Sequence, residues 1–273
     1  MRIISICPSN TELIGYLGLT EKLVAVDDYS DWPSEVNQLP RLGPDLHIDM
    51  DRLQSFEPDL VLASLSVPGM ERNIEELQKR NIPHLVLNPN TLDEIADDLL
   101  LVGQYTKCEL RAQQLFKRFK QIILDYKTLA KDVKKTTVYW EWWPKPVFTP
   151  GKQNWLTEIS QLAGGVNIFE SENIASVQTN WDDVYKRNPE HICLVWVGVQ
   201  TNKVNLDVVY KRPKWMTLQA IEKKNIYILE EPFFCRPSPR LLIGLKKVAA
   251  ILHPNRFPPF DGTDPLLHKN TLE

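Results

Sequence analysis

What most limits the fold is an alternation of two periodicities that runs through the chain twice. Short apolar runs rich in β-branched residues, RIISIC (2–7), LVAV (23–26), DLVLAS (59–64) and HLVLN (84–88), are separated by stretches with helical spacing. Strands spaced by helices predict a parallel sheet, because parallel neighbours need a crossover long enough to return the chain to the same end. After residue 135 the pattern starts again with TTVYWEWW (136–143), HICLVWV (191–197) and NIYILEE (225–231). A chain of 273 residues has room for two such units, each with its own core.

The two halves also resemble each other in detail. DMDRLQSFEPDLVLA (49–63) can be laid on NWDDVYKRNPEHICLV (180–195), so that Asp49 meets Asn180, Leu53 meets Val184, Pro58 meets Pro189 and Val61 meets Ile192. Each reads as a helix capped by Asp or Asn, stopped by proline and followed by a buried strand. KRNIPHLVLN (79–88) has a weaker echo in KKNIYILEE (223–231). Between the halves, Thr91 and Glu94 form a capping box that opens one helix. A longer helix is expected from about Lys107 to Lys131, its apolar stripe carried by Leu115, Phe119, Ile122, Tyr126 and Leu129. At 1.5 Å per residue it spans about 37 Å and would act as a stiff spine. The expected division is an N-terminal lobe over 1–106, a connecting helix over 107–131, a C-terminal lobe over 132–255 and an extended, proline-rich tail over 256–273.

Several function classes lose their usual signatures. The net charge of −3 supplies no field for nucleic acid. GxSxG, GxGxxG and GxxxxGK[ST] are absent, which argues against common hydrolase, dinucleotide and P-loop chemistries. Cys7, Cys108, Cys193 and Cys235 form no CxxC, and His47, His84, His191, His253 and His268 have no paired ligand spacing, so neither a metal site nor a required cofactor is expected. No apolar run reaches the roughly 18 residues of a transmembrane segment. MRIISICPSN enters a strand at once, so the chain as written reads as cytoplasmic, and as extracytoplasmic if its native N-terminus lies further upstream.

The richest local signal is YWEWWPKPVFTPGK (139–152), with three tryptophans in four residues beside three prolines. Trp is seldom fully buried and its indole N–H needs a partner, so such a cluster suits a flat ligand better than a core alone. Strand alternation places Trp140 and Trp142 on one face and Tyr139, Glu141 and Trp143 on the other. Trp140 can be claimed by the core, whereas Trp142, Trp143 and Phe148 lie nearest the carboxyl end of the strand, where open α/β sheets take their ligands.

The opening RIISICPSNTELIGYLGL, then LVAVDDYSDWP, DRLQSFEPDLVLAS, PVFTPGK (146–152), AGGVNIF (163–169) and PSPRL together resemble the helical-backbone substrate-binding proteins of ABC importers, and within them the vitamin B12 (cobalamin) branch. The resemblance covers Arg2 to about His253 and keeps the order of the motifs. It implies an α/β fold of two Rossmann-like lobes joined by one long rigid helix, with a small-molecule ligand in the cleft between them and an importer permease as partner. It also implies no catalysis, and a corrinoid as ligand.

On that resemblance and the residues together, the candidate ligand-binding residues are Pro8, Ser9 and Asn10 at a helix start, with Ser9 and Glu12 as its capping box. Tyr29 and Asp31 follow in a loop that faces ligand in the B12 branch. Ser64 and Leu65 end the third strand, Trp142, Trp143 and Phe148 form the platform, and Phe233, Phe234 and Arg236 lie before the last helix. Arg236 can meet ligand carboxylates or pair with a neighbouring acid. Glu71 matches one of two acidic residues that such proteins present to permease arginines, but the second position is Cys235. The B12 branch also has a tryptophan after the third strand where this chain has ASLSVPG (63–69). Alternative readings are an iron-siderophore or haem binder, a cytoplasmic relative that sequesters or senses its ligand, a scaffold whose Trp142 surface meets protein, and an enzyme using Cys235 as a thiolate favoured by Arg236.

Overall fold

The computed structural model describes residues 1–267 and divides into two compact units. The first comprises Met1–Pro89, Asp93–Phe119 and Pro237–Pro239; the second comprises Asn90–Leu92, Lys120–Arg236 and the chain from Arg240 onward.

In the first unit the elements follow the expected alternation: β1 (Ile3–Ser5), α1 (Pro8–Leu17), β2 (Leu23–Val26), α2 (Met50–Ser55), β3 (Leu60–Ser64), α3 (Glu71–Lys79), β4 (His84–Leu87) and α4 (Leu92–Thr106). The strands form one parallel sheet in the order β2-β1-β3-β4, with Ile4 beside Val61 and Val61 beside His84. All five residues of β3 are buried, the signature of a central parallel strand covered on both faces. Ile4, Ile6, Ala25, Leu53, Val61, Ala63 and Leu77 make its core.

The long helix α5 runs from Glu109 to Leu129, two residues inside each expected end. Lys107, at φ +58°, turns the chain between α4 and α5. The expected stripe is buried at Leu115, Phe119, Ile122 and Tyr126.

The second unit continues with β5 (Thr136–Glu141), β6 (Trp143–Pro144), β7 (Val147–Pro150), α6 (Trp155–Leu162), β8 (Gly165–Asn167), β9 (Ser176–Thr179), α7 (Trp181–Arg187), β10 (His191–Leu194), α8 (Leu206–Tyr210), α9 (Gln219–Glu222), β11 (Ile226–Ile228) and α10 (Leu241–Leu252). Its main sheet, β11-β10-β5-β8, is parallel throughout. Read from β8, the order 8-5-10-11 repeats the order 2-1-3-4 of the first unit. The paired segments seen in the sequence therefore occupy equivalent places: α2 and β3 in one unit, α7 and β10 in the other. Their caps match as well, since the Asp49 carboxylate accepts the N–H of Arg52 at 3.0 Å and the Asn180 side chain accepts those of Asp182 and Asp183 at 3.0 Å.

One expectation is corrected. The capping box at Ser9 and Glu12 does not form: Pro8, with no N–H to satisfy, begins α1, Cys7 takes the cap position, and the buried Glu12 accepts the hydroxyl of Ser238. Phe257 is buried and stacks on Tyr126 at 5.7 Å, and Lys246 pairs with Asp261. Residues 268–273, His268 among them, lie outside the described residues.

Candidate functional site

In a parallel sheet every strand ends on the same side, so the loops there collect whatever the sequence places after each strand. In the first unit β2 runs into Asp27, whose buried carboxylate accepts the N–H groups of Tyr29 at 2.8 Å and Ser30 at 3.1 Å and the hydroxyl of Ser30. Arg41 clamps the same turn by donating to the carbonyls of Asp27 and Ser30. The result is a rigid turn that displays Tyr29, 54% exposed, at its apex. Burial pushes Asp27 up to about 6 even though its hydrogen bonds favour the ionised form. Asp31 is exposed two residues further on.

The other first-unit candidates turn inward. Pro8, Ser9 and Asn10 are buried. The Asn10 amide donates to the carbonyl of Ala63 at 2.9 Å and Ser9 Oγ lies 3.3 Å from Cys7 Sγ, so both side chains are engaged in holding α1 to the strand ends. Ser64 is buried and tied to Ser66, while Leu65 is half-buried. Glu71 stands exposed at the start of α3, its carboxylate accepting the N–H of Gly69 at 2.7 Å.

In the second unit the aromatic cluster divides. Trp140 is fully buried, donating to Ser160 at 2.8 Å. Beyond Glu141 the chain leaves β5 and enters a small antiparallel sheet, β6-β7-β9. Directly opposed residues share a face. Trp143, Phe148 and Gln178 thus lie on one face, and Pro144, Val147 and Thr179 on the other. Trp143 is 43% exposed, with its indole N–H directed to the carbonyl of Lys145. Trp142 is half-buried, and its enclosed indole nitrogen has no hydrogen-bond partner among the described residues.

Behind the platform lies a buried network that sequence reasoning missed. Glu141 and Arg212 form a fully buried bidentate pair at 2.6 and 2.7 Å. The remaining sites on the Glu141 carboxylate accept the hydroxyl of Tyr139 at 2.8 Å and the indole N–H of Trp196 at 2.9 Å. The guanidinium of Arg212 lies over Trp215 and Trp181, with centroids 4.3 and 5.1 Å away. Trp196 follows the end of β10 half-buried, so it joins the aromatic side chains at the carboxyl end of this sheet. A charged residue inside the apolar run VYWEWW was the signal available for Glu141.

Phe234 is corrected from a ligand wall to a core residue: it is fully buried against Trp140, with centroids 5.5 Å apart, and its carbonyl accepts the indole N–H of Trp155 at 2.7 Å. Phe233 is half-buried beneath the guanidinium of Arg240 at 4.8 Å. Arg236 pairs with Glu231 at 3.2 Å, the second of its two readings. The Cys235 thiol donates to the carbonyl of Val195 at 3.3 Å, and burial pushes it well above the ordinary thiol range. The thiolate reading of Cys235 therefore fails, because the neighbouring cation is already paired and desolvation dominates.

The model for periplasmic binding proteins matches residues 3–232. The chain belongs to this family. An ABC transporter substrate-binding lipoprotein of Bacillus subtilis (strain 168), YvrC, is 30% identical over 268 residues, covering 94% of this chain and 81% of its own. The periplasmic vitamin B12 binding protein BtuF of Vibrio cholerae is 26% identical with a TM-score of 0.76, over 92% of this chain and 96% of that one. The periplasmic heme-binding protein RhuT of Roseiflexus sp. RS-1 reaches a TM-score of 0.81 at 19% identity, over 93% and 98%. Of these two solved structures, the one more alike in backbone is the less alike in sequence. Backbone similarity speaks for the fold; ligand preference has to be argued from side chains. Among the described residues no helix is long and apolar enough to cross a membrane.

Proposed function

We propose that this periplasmic binding protein is the ligand-capturing subunit of an ABC importer, works outside the cytoplasmic membrane, and takes a corrinoid or a similarly large, partly conjugated molecule. The observation that carries the reading is the exposed aromatic face of the small sheet: Trp143, 43% exposed, beside Phe148 across the ladder. Flat rings held by a hydrogen-bonded hairpin offer contact area at little ordering cost, which favours a large planar ligand. The half-buried Trp142 and Trp196 of the same unit add to that surface. The kinship with YvrC supports the importer role, and BtuF supports the ligand class. Glu71 is the proposed docking charge for the permease; with Cys235 at the second position, docking depends on that one carboxylate more than in a two-acid protein.

Equilibrium dialysis against cyanocobalamin, cobinamide, haemin and a ferric hydroxamate tests the ligand. The expected result is corrinoid retention at micromolar or tighter affinity, weakened about tenfold or more by Trp143→Ala with Phe148→Ala. Retention of haemin in place of the corrinoids, or a double variant that binds as the parent does, would overturn the reading.

A further inference from the structure

The face of the β6-β7-β9 sheet turned away from Trp143 and Phe148 opens onto a pocket of about 480 Å³. That volume lies within the range of small-molecule sites. Pro144, Pro146, Val147 and Pro213 make its walls apolar, and Trp181 lines it as well. Trp181 is held in place: its indole N–H donates to the carbonyl of Pro144 at 3.0 Å, its own carbonyl accepts the indole N–H of Trp215 at 3.0 Å, and Arg212 lies over its ring. The wall is thus formed before any ligand arrives.

The polar lining tells what that ligand must carry. Thr179 donates its hydroxyl to Asp183 at 2.7 Å, and the Asn180 oxygen accepts two backbone N–H groups. The Asp182 carboxylate meets Lys186 at 2.8 Å and Lys214 at 3.5 Å. The amide oxygen and the carboxylate of the lining are therefore engaged. The ammonium of Lys145, exposed at the hairpin tip, has no partner among the described residues, and that of Lys214, also exposed, lies 3.5 Å from Asp182 Oδ1 and 5.6 Å from the centre of the Tyr185 ring. Spare capacity lies with donors that carry positive charge, above a floor of proline and indole.

We propose that this pocket is a second binding site, for a small amphipathic anion: one or two flat rings bearing a carboxylate or sulfonate, with the rings against Trp181 and the prolines and the anion met by Lys145 and Lys214. The site goes beyond the corrinoid reading and does not depend on it, since neither Trp143 nor Phe148 lines it.

Titration of the full chain with 2-naphthoate, followed through the eight tryptophan indole N–H signals by NMR, tests the proposal. The expected result is a saturable shift of the Trp181 signal, identified with Trp181→Phe, while those of Trp142 and Trp143 stay in place. The neutral isostere 2-naphthylmethanol should bind at least tenfold more weakly. Lys145→Gln with Lys214→Gln, both exposed and expected to leave thermal unfolding unchanged, should weaken naphthoate tenfold or more. A Trp181 signal that does not move up to several millimolar, equal binding of acid and alcohol, or a double variant that binds naphthoate like the parent would each refute it.

Discussion

Arg212→Met removes one side of the buried pair while keeping much of the apolar length of the side chain, and its cost can be worked from the geometry. Glu141 accepts four hydrogen bonds, two of them from Arg212 at 2.6 and 2.7 Å, and both side chains are fully buried. Without the guanidinium the carboxylate keeps Tyr139 and Trp196 but loses its counter-charge in a fully buried site. Stranding one member of a buried pair costs about 3–5 kcal/mol. With an unfolding entropy of about 2.1 cal/mol/K per residue over the 273 residues, this lowers the melting temperature by roughly 5–9 °C. Urea denaturation followed by circular dichroism at pH 7 gives the free energy directly. Adding Glu141→Gln should then recover stability rather than lose more, because the double variant buries no charge; a coupling of about 1–3 kcal/mol is expected. A single variant within 1 kcal/mol of the parent, or two substitutions whose costs simply add, would refute the claim that this pair acts as a unit.

Asp98 on α4 is pushed up from 3.8 to about 7 by burial, then by the nearby charges of Glu94 and Asp97, and its Oδ2 has no partner among the described residues. The native state holds a proton that the unfolded chain releases, so this group's contribution is full below about pH 4 and is lost as pH rises through 7. Asp98→Asn should flatten that fall and raise stability at pH 8 by on the order of 2–4 kcal/mol, read from unfolding curves at successive pH values. Phe234→Ala should cost about 3–5 kcal/mol while the folded fraction binds ligand as before, a combination that separates a core residue from a pocket wall by denaturation and dialysis on one sample. Gly244→Ala would place a Cβ 2.2 Å from the carbonyl oxygen of Phe233 and 2.9 Å from the ring of Phe234, so α10 must shift; a loss of about 1–3 kcal/mol in chemical denaturation is expected.

The main sheets were legible because burial on both faces leaves a readable trace: DLVLAS and HICLVWV are apolar runs of strand length that proline and polar residues bound. The stripe of α5 was legible for the same reason at helical spacing. The small sheet was not. In YWEWWPKPVFTPGK the strand β5 gives way after Glu141 to a two-residue strand, too short for any period, and β9, which pairs with β7, lies in an unremarkable SVQT. Long-range pairing was equally hidden. Glu141 finds Arg212 at a separation of 71 residues, and Glu12, which looks like half of a capping box, finds Ser238 at a separation of 226. Phe233 and Phe234 sit in a loop without periodicity, so adjacent aromatics gave no sign that one faces the core and the other does not.

The two units repeat a strand order but finish it differently. At the strand ends of the first unit small polar side chains satisfy one another: Thr11 donates to Ser5 at 2.8 Å and lies 2.6 Å from the Ser30 hydroxyl, while Ser30 donates to Asp27. Such a network contributes little area; it fixes the turn that carries Tyr29, and so serves orientation. At the strand ends of the second unit the side chains are indoles and a phenyl ring, locked from behind by Glu141, Arg212 and the hairpin ladder. Preformed aromatic area is what converts contact into affinity, since its ordering cost is already met by folding. Substitutions on the aromatic face of the second unit should therefore act mainly on how long a ligand held there stays. The duplicated architecture supplies two equivalent edges, and the side chains that close each edge decide which property it governs.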